Sequence, residues 1–289
     1  MKVTSWKSIN VWSRMILIVA ISVISITLNF SSAGAEGLLE KIKKENKIVV
    51  ATEAMIVPFE FVKDGKIVGY GKDILDVVVA GLGVELVQHN LPFQGIIIGL
   101  LAKKYDFVAT SLAVTPERAK KVAFTMPIAG FDNLVIISAN NTEIKSLDDL
   151  NNKIVGAQLN SSQQSLLEEF DLELKAKGGA GFKELKLYQS NPELSMALGS
   201  GQIDGSSLPS NMFAYMSKKR PGTIKSVGVI GSPTWICWAT RPKDLDLRDY
   251  INSVILKLRD SGKLAEMQKK WLGRSQDVPD KGYLPEGAF

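Results

Sequence analysis

The sequence predicts an α/β protein built as two lobes, and three observations carry that reading. Strand-like apolar runs alternate with amphipathic helical stretches from Lys47 to Ser111. The alternation starts again at Lys153, after a polar stretch over 140–151. No obvious flexible linker separates the two units, so they should meet closely. The chain has 289 residues, 45% hydrophobic and 22% charged, an ordinary globular balance with room for one large domain or two modest ones.

Residues 1–35 read as a signal peptide. Lys2, Lys7 and Arg14 form a basic start, Met15 to Phe30 an apolar run of 16 residues, and Ala33-Gly34-Ala35 a small-residue cleavage site before Glu36. The run is shorter than the roughly 20 residues a spanning helix needs. The segment holds three of the 35 basic residues and none of the 30 acidic ones, so its removal lowers the formal charge from +5 to +2. That charge, with only short basic runs such as Lys218-Lys219-Arg220, argues against nucleic-acid binding. Cys237 is the one cysteine and lies far from the signal end, so neither an internal disulfide nor a lipid-anchored N-terminus is expected. With His89 the only histidine, the usual zinc sites and a histidine-based triad lack material, and no cofactor or metal is expected. The product should be free in the periplasm.

After a polar lead over 36–46, KIVVATEA is a strand and FEFVKDGKIVGYG a hairpin turning at Asp64-Gly65. Lys72 to Gly83 puts Ile74, Leu75, Val78 and Val79 on one helical face. VELVQ is a strand, Phe93 to Lys104 a helix and YDFVATS another strand. The second unit has a short helix over 146–150, the strand KIVGAQL, a helix from about Ser161, the strand ELKLYQ and a helix with Pro192 in its first turn. IDGSSLP is a short strand end and SNMFAYMSKKRPG a helix. TIKSVGVIG and TWICWAT are two strands, and two terminal helices break at Gly262.

Arg118 stands just past a turn at Thr115-Pro116, among small residues. Its five donors in a rigid fork suit a carboxylate or phosphate; a surface arginine, or one paired with a neighbouring acid, is the plain alternative. Asn160 to Gln164 join a strand to a helix, where free N–H groups and the hydroxyls of Ser161 or Ser162 either bind an anion or simply cap the helix. Phe93, Phe59, Phe61, Trp235 and Trp238 are candidates for cleft walls or for core. Glu53 ends the first strand, placed to meet a cationic ligand group or to cap a backbone N–H.

VATEAMIVPFEF, DFVATSLAVTPERAKKVAFTMPI, SLDDLNNKIVGAQLNSSQQ, SGQID and SGKLAEMQKKWLG stand in order over about Ile48 to Gly273. In this the chain resembles the periplasmic solute-binding proteins of polar-amino-acid ABC importers. The resemblance implies the type II periplasmic binding protein fold, with lobe one over 36–130 and again over 232–289, lobe two over 131–231, and a ligand cleft between them. It implies that Arg118 clamps a ligand carboxylate, assisted by Thr110, Ser111 and the position of Ala113. It implies that Ser161 and Ser162 close on the same carboxylate from lobe two and that Phe93 packs on the ligand. Amino-acid binders of this type hold the α-ammonium with an aspartate five residues past the Asp of the SGxxD segment, and here that position is Pro209. The hydroxyl often found at Ala113 and the aromatic common at Ile56 are absent as well. A free α-amine would be poorly paired. The expected solute therefore carries a carboxylate but no ordinary α-ammonium, unless Glu53 replaces the aspartate. The expected role is binding without catalysis, as a monomer delivering solute to an ABC permease. A cyclohexadienyl dehydratase-like enzyme and a solute sensor on the same scaffold are the alternatives.

Overall fold

The structure, a computed structural model, describes residues 37–289; the signal-peptide expectation lies outside them. In chain order the elements are α1 (Leu38–Glu45), β1 (Lys47–Thr52), β2 (Met55–Ile56), β3 (Glu60–Lys63), β4 (Lys66–Val68), α2 (Tyr70–Leu82) and β5 (Glu85–Asn90). A 3-10 turn (Phe93–Gly95) leads into α3 (Ile96–Leu101), then β6 (Phe107–Ala113), α4 (Pro116–Ala119), β7 (Ala123–Phe124) and β8 (Ala129–Ser138). A second 3-10 turn (Asp148–Leu150) precedes β9 (Ile154–Gln158), α5 (Ser162–Ala176), β10 (Glu184–Tyr188), α6 (Asn191–Gly199), β11 (Gly205–Pro209) and α7 (Ser210–Lys219). The chain ends with β12 (Ile224–Thr240), α8 (Leu245–Asp260) and α9 (Lys263–Leu272).

One sheet runs through the whole body in the order β10-β9-β11-β8-β12-β6-β1-β5, with β7 also on β12. At one end β6, β1 and β5 are parallel; at the other β11, β9 and β10 are parallel. Between them β8 and β12 pair antiparallel to each other. Parallel strands need helical crossovers, and the sequence supplies one after each strand-like run. The hairpin of β3 and β4 turns where expected, with Asp64 at φ 51° and Gly65 at φ 74°, the left-handed pair that a two-residue turn of this hand requires.

Two expectations change. TIKSVGVIG and TWICWAT form one strand of 17 residues. Residues 231–233 bulge out opposite a single residue of β8, because Ile230 pairs with Asn133 and Thr234 with Phe131, and Gly231 takes φ 63°. A glycine and a proline that look like a strand break are instead absorbed by a partner strand that continues. The helix expected over 93–104 is a 3-10 turn followed by six α-helical residues. Its two glycines and three consecutive isoleucines weaken helical propensity, and Gly99 lies against the Tyr105 ring.

The main core lies under α2, α8 and β1, with Phe107 against Trp238 at 5.9 Å between ring centroids. A separate cluster under α5 joins Val155, Ala157, Leu167 and Phe170. Cys237 is buried and His89 is exposed. Gly156 on β9 sits so near its neighbours that a Cβ there would stand 2.6 Å from Ile203, 2.8 Å from Leu194 and 3.2 Å from Tyr188. Alanine normally outperforms glycine in a strand, but here it overpacks. Gly156→Ala should therefore destabilise by about 1–3 kcal/mol, read as a fall in the thermal midpoint of about 2–4 °C per kcal/mol. An unchanged or raised midpoint would show that α6 withdraws freely from the sheet.

Candidate functional site

The two parallel ends of the sheet face each other across a cavity that leaves about 50 Å³ for the centres of water-sized groups. Its wall comes from the loop and short strands after β1, the end of β6, the β9–α5 turn and β11. Of the residues singled out from sequence, Ile56, Phe93, Ser111, Ala113, Arg118, Ser161, Ser162 and Pro209 line this cavity.

Arg118 is brought there by α4. Thr115 caps that short helix, its hydroxyl accepting from Arg118 N at 3.3 Å, with Pro116 in the first position. The guanidinium donates to Ala113 O at 3.0 Å on its own side of the cavity and to Asn160 O at 3.0 Å on the other. Its Cζ stands 5.3 Å from the centre of the Phe93 ring, a cation–π contact. Among the described residues no carboxylate pairs with it. Burial lowers its pKa to about 10, so it stays charged at neutral pH. Two of its five N–H groups are used on carbonyls and the rest remain for a ligand.

Ser161 is the N-cap of α5. Its hydroxyl donates to Gln158 O at 2.7 Å and accepts from Gln164 N at 3.1 Å, so that hydroxyl is largely occupied. The N–H groups of Ser162 and Gln163 lie in the first turn of this 15-residue helix and have no intrahelical carbonyl to reach. They and the Ser162 hydroxyl, whose contact to Gln163 Oε1 is a long 3.4 Å, are what this turn offers an anion.

Phe59 lines the cavity too, whereas Thr110, Glu53 and Phe61 lie outside the lining, Phe61 against Tyr215 and Trp271. β6 alternates, so Ser111 and Ala113 face the cavity while Thr110 faces away, its hydroxyl accepting from Glu53 N at 3.3 Å. Glu53 is 2% exposed and accepts from Gln158 Nε2 at 2.7 Å. Burial raises its pKa to about 7 against that bond. It neither caps a backbone N–H nor reaches the cavity; it holds Gln158 in place across the two sides.

Trp235 and Trp238 do not line the cavity, and Trp238 is core. Several lining residues escaped the sequence reading: Phe131, Gln158, Asn191, Leu194, Ser207, Met212 and Ile236. Gln158 carries a chain of bonds, accepting from Asn191 Nδ2 at 3.0 Å while donating to Glu53. Ser207 had a readable signal, since it lies two residues before Pro209 on one strand and must share its face. Glu60 gave none. It stands behind Ser111, whose Oγ donates to Glu60 Oε2 at 2.9 Å.

Comparisons with known proteins point one way. The "Probable amino-acid-binding protein YxeM" of Bacillus subtilis (strain 168) is 24% identical over 272 residues, 93% of this chain and 98% of the relative. The "L-cystine-binding protein TcyJ" of Escherichia coli (strain K12) is 28% identical over 249 residues, 85% and 90% of the two chains. Among solved structures, a mutant of ArgBP from T. maritima matches with a TM-score of 0.71 at 28% identity, covering 82% of this chain and 99% of that one. The ancestral amino acid-binding protein AncCDT-1, described as a precursor of cyclohexadienyl dehydratase, matches with a TM-score of 0.71 at 26% identity over the same shares. The fold is that of the type II periplasmic binding proteins, a mixed sheet shared by two lobes. Residues 48–274 match the bacterial extracellular solute-binding proteins, family 3, and the chain belongs to that family.

Proposed function

We propose that the chain binds an amino acid, or a close derivative, between two lobes and delivers it to an ABC importer. The observation that carries this is Arg118: a half-buried, charged guanidinium with spare donors, no carboxylate in contact with it among the described residues, and a helix N-terminus across the cavity. A ligand carboxylate completes such an arrangement. The backbone at Ala113, Ser162 and the first turn of α5 assist it, Phe93 and Ile56 form apolar wall, Ser161 shapes the turn, and the Ser111 hydroxyl, whose hydrogen goes to Glu60, is left for another part of the ligand. Lobe one comprises 36–130 and 232–289, and lobe two 131–231, joined through β8 and β12. Ligand bridging both lobes favours the closed form, which the permease then recognises. Residues 1–35 direct export to the periplasm, where the protein acts as a monomer. Among the described residues no helix is long and apolar enough to cross a membrane.

The finer reading concerns the nitrogen. Pro209 lines the cavity where binders of this kind place an aspartate, and a proline side chain neither carries charge nor accepts a hydrogen bond. The preferred solute thus carries a carboxylate with a substituted amine in place of a primary α-ammonium. The likeness to AncCDT-1 raises a dehydratase as the alternative. That reaction needs a general acid at the ligand. The two acids packed behind the wall, Glu53 and Glu60, are absent from the lining, which favours binding without chemistry.

Thermal unfolding of the chain from Glu36 across standard amino acids, N-methylated amino acids, betaines and prephenate tests the class, because a ligand of the folded state raises the midpoint. A shift with substituted-amine acids and none with primary amino acids is the expected pattern; the reverse pattern overturns the finer reading. Arg118→Ala should weaken binding of any carboxylate hit by at least about 30-fold, the effect of truncating one partner of a buried charged pair. Near-native affinity would remove Arg118 from the site. Pro209→Asp should strengthen binding of primary amino acids by about tenfold or more, the contribution of a charged hydrogen bond. No gain in a folded variant counts against the missing-amine argument.

A further inference from the structure

Behind the cavity wall lies a carboxyl group that the carboxylate-binding arrangement does not use. Glu60 begins β3, opposite Ile56 of β2, and is 1% exposed. Its Oε2 accepts from the Ser111 hydroxyl, and Ser111 lines the cavity. Its Oε1 is buried and has no hydrogen-bond partner. The side chain is confined on its far side by Gly71 of α2, where any Cβ would collide with Oε1. A buried carboxyl whose bonds go only to Ser111, one of them with a cavity hydroxyl, is costly unless that residue is its purpose.

We propose that Glu60 is a positioning residue for the ligand: its carboxyl sets whether the Ser111 hydroxyl offers the cavity a hydrogen or a lone pair, and its ionised form supplies the negative charge that a ligand N–H needs where Pro209 offers none. The reasoning is a matter of counting hydrogens. Ionised Glu60 has only acceptors, so the Ser111 hydrogen must point to it and the remaining Ser111 lone pairs face the cavity. Protonated Glu60 can instead donate to Ser111 through Oε2, which frees the Ser111 hydrogen to turn to the cavity. A ligand nitrogen with an N–H to give therefore selects ionised Glu60 and releases its proton to solvent. The inference rests on the carboxylate reading of Arg118 and names the ligand's other end: a positively charged nitrogen keeping one or two hydrogens, as in a secondary or tertiary amine, with its substituents against Ile56, Phe59 and Pro209.

The surroundings permit the switch. Burial is the main cause that raises Glu60 to about 8, opposed by its bonds to Ser111 and reinforced by the nearby Glu53. Other charges on the packed elements are engaged elsewhere: Lys72 with Asp76, and Asp73 with Lys270 and Trp271; on β4, Lys66 is exposed. The Tyr70 hydroxyl donates to Ile128 O at 2.6 Å. In the free protein a carboxyl raised from 4.5 to about 8 holds its proton longer when folded than when unfolded. Stability should then fall as pH rises from about 4.5 towards 8.

The test is calorimetric titration with glycine, N-methylglycine, N,N-dimethylglycine, trimethylglycine and propionate, in two buffers of different ionisation enthalpy at pH 7, on wild type and Glu60→Gln. The inference expects the N-methyl and N,N-dimethyl members to bind most tightly, with release of up to one proton. Glu60→Gln should abolish the proton release and weaken those members at least about tenfold, leaving propionate unchanged. A thermal midpoint less dependent on pH between 5 and 8 in Glu60→Gln independently supports the buried ionisation. Equal affinities across the methylation series with no proton release, propionate still binding, overturn the role of Glu60 alone. Failure of every carboxylate to bind overturns the Arg118 reading and this inference with it.

Discussion

A half-buried positive charge that no carboxylate contacts among the described residues is what the cavity is built around. The nearest acid in the chain, Glu117, is exposed and acts on it only at a distance. Arg118 holds its guanidinium against Ala113 O and Asn160 O, with the Phe93 ring near its face. Carbonyl dipoles and a ring quadrupole stabilise a cation only in part, far less than a bidentate carboxylate does. The site is thereby left short of one anion. Everything nearby keeps it so: Glu53 and Glu60 lie behind the wall, bonded to Gln158 and Ser111. An ionised acid exposed to the cavity would compete with a ligand for the same fork.

The same guanidinium ties the two ends of the sheet together. Its bond to Asn160 O joins the two sides, and so do the bonds from Gln158 to Glu53, behind the cavity lining, and from Gln94 to Gln189 O at 2.6 Å, away from it. These are few polar bonds, each contributing roughly 1 kcal/mol net. The continuous pair β8 and β12 supplies the covalent path between the ends, and the bulge at 231–233 lies along it. Such a bulge concentrates twist at one place in an otherwise regular ladder.

What the sequence made legible was local. The Asp64-Gly65 turn, the Pro192 and Gly262 helix boundaries, the Thr115 cap and the Ser161 cap are decided within a few residues by backbone chemistry. The residues around Arg118 alone left a surface arginine as the plain alternative; the family resemblance pointed to the cavity, and Arg118 lines it. The remaining features depend on partners distant in sequence. Whether Gly231 and Pro233 break β12 depends on β8, some hundred residues earlier. Gln158 and Asn191 are ordinary amides until the fold sets them beside Glu53. Thr110 and Ser111 differ only in strand parity, and parity sends one to the back of Glu53 and the other into the cavity.

The proposed role of Pro209, standing where the family resemblance expects an aspartate, is best weighed together with that proposed for Glu60. An aspartate on the cavity surface would neutralise a primary ammonium by direct contact and would pair less completely with a nitrogen whose hydrogens have been replaced by carbon. A carboxyl set behind Ser111 acts through one hydroxyl and leaves the surrounding wall to Ile56, Phe59 and Pro209. Apolar wall around a single polar contact suits a nitrogen that bears carbon substituents and few hydrogens. Burial also keeps Glu60 protonated near neutrality, so its charge is expressed when something in the cavity draws it out. Charge that appears on demand spares the empty site a permanent buried anion, while the permanent charge, Arg118, is the one that carbonyls on both sides can hold. On the reading proposed above, the asymmetry would orient the ligand: its carboxylate would meet a fixed cation, and its nitrogen an acid whose ionisation it must itself induce.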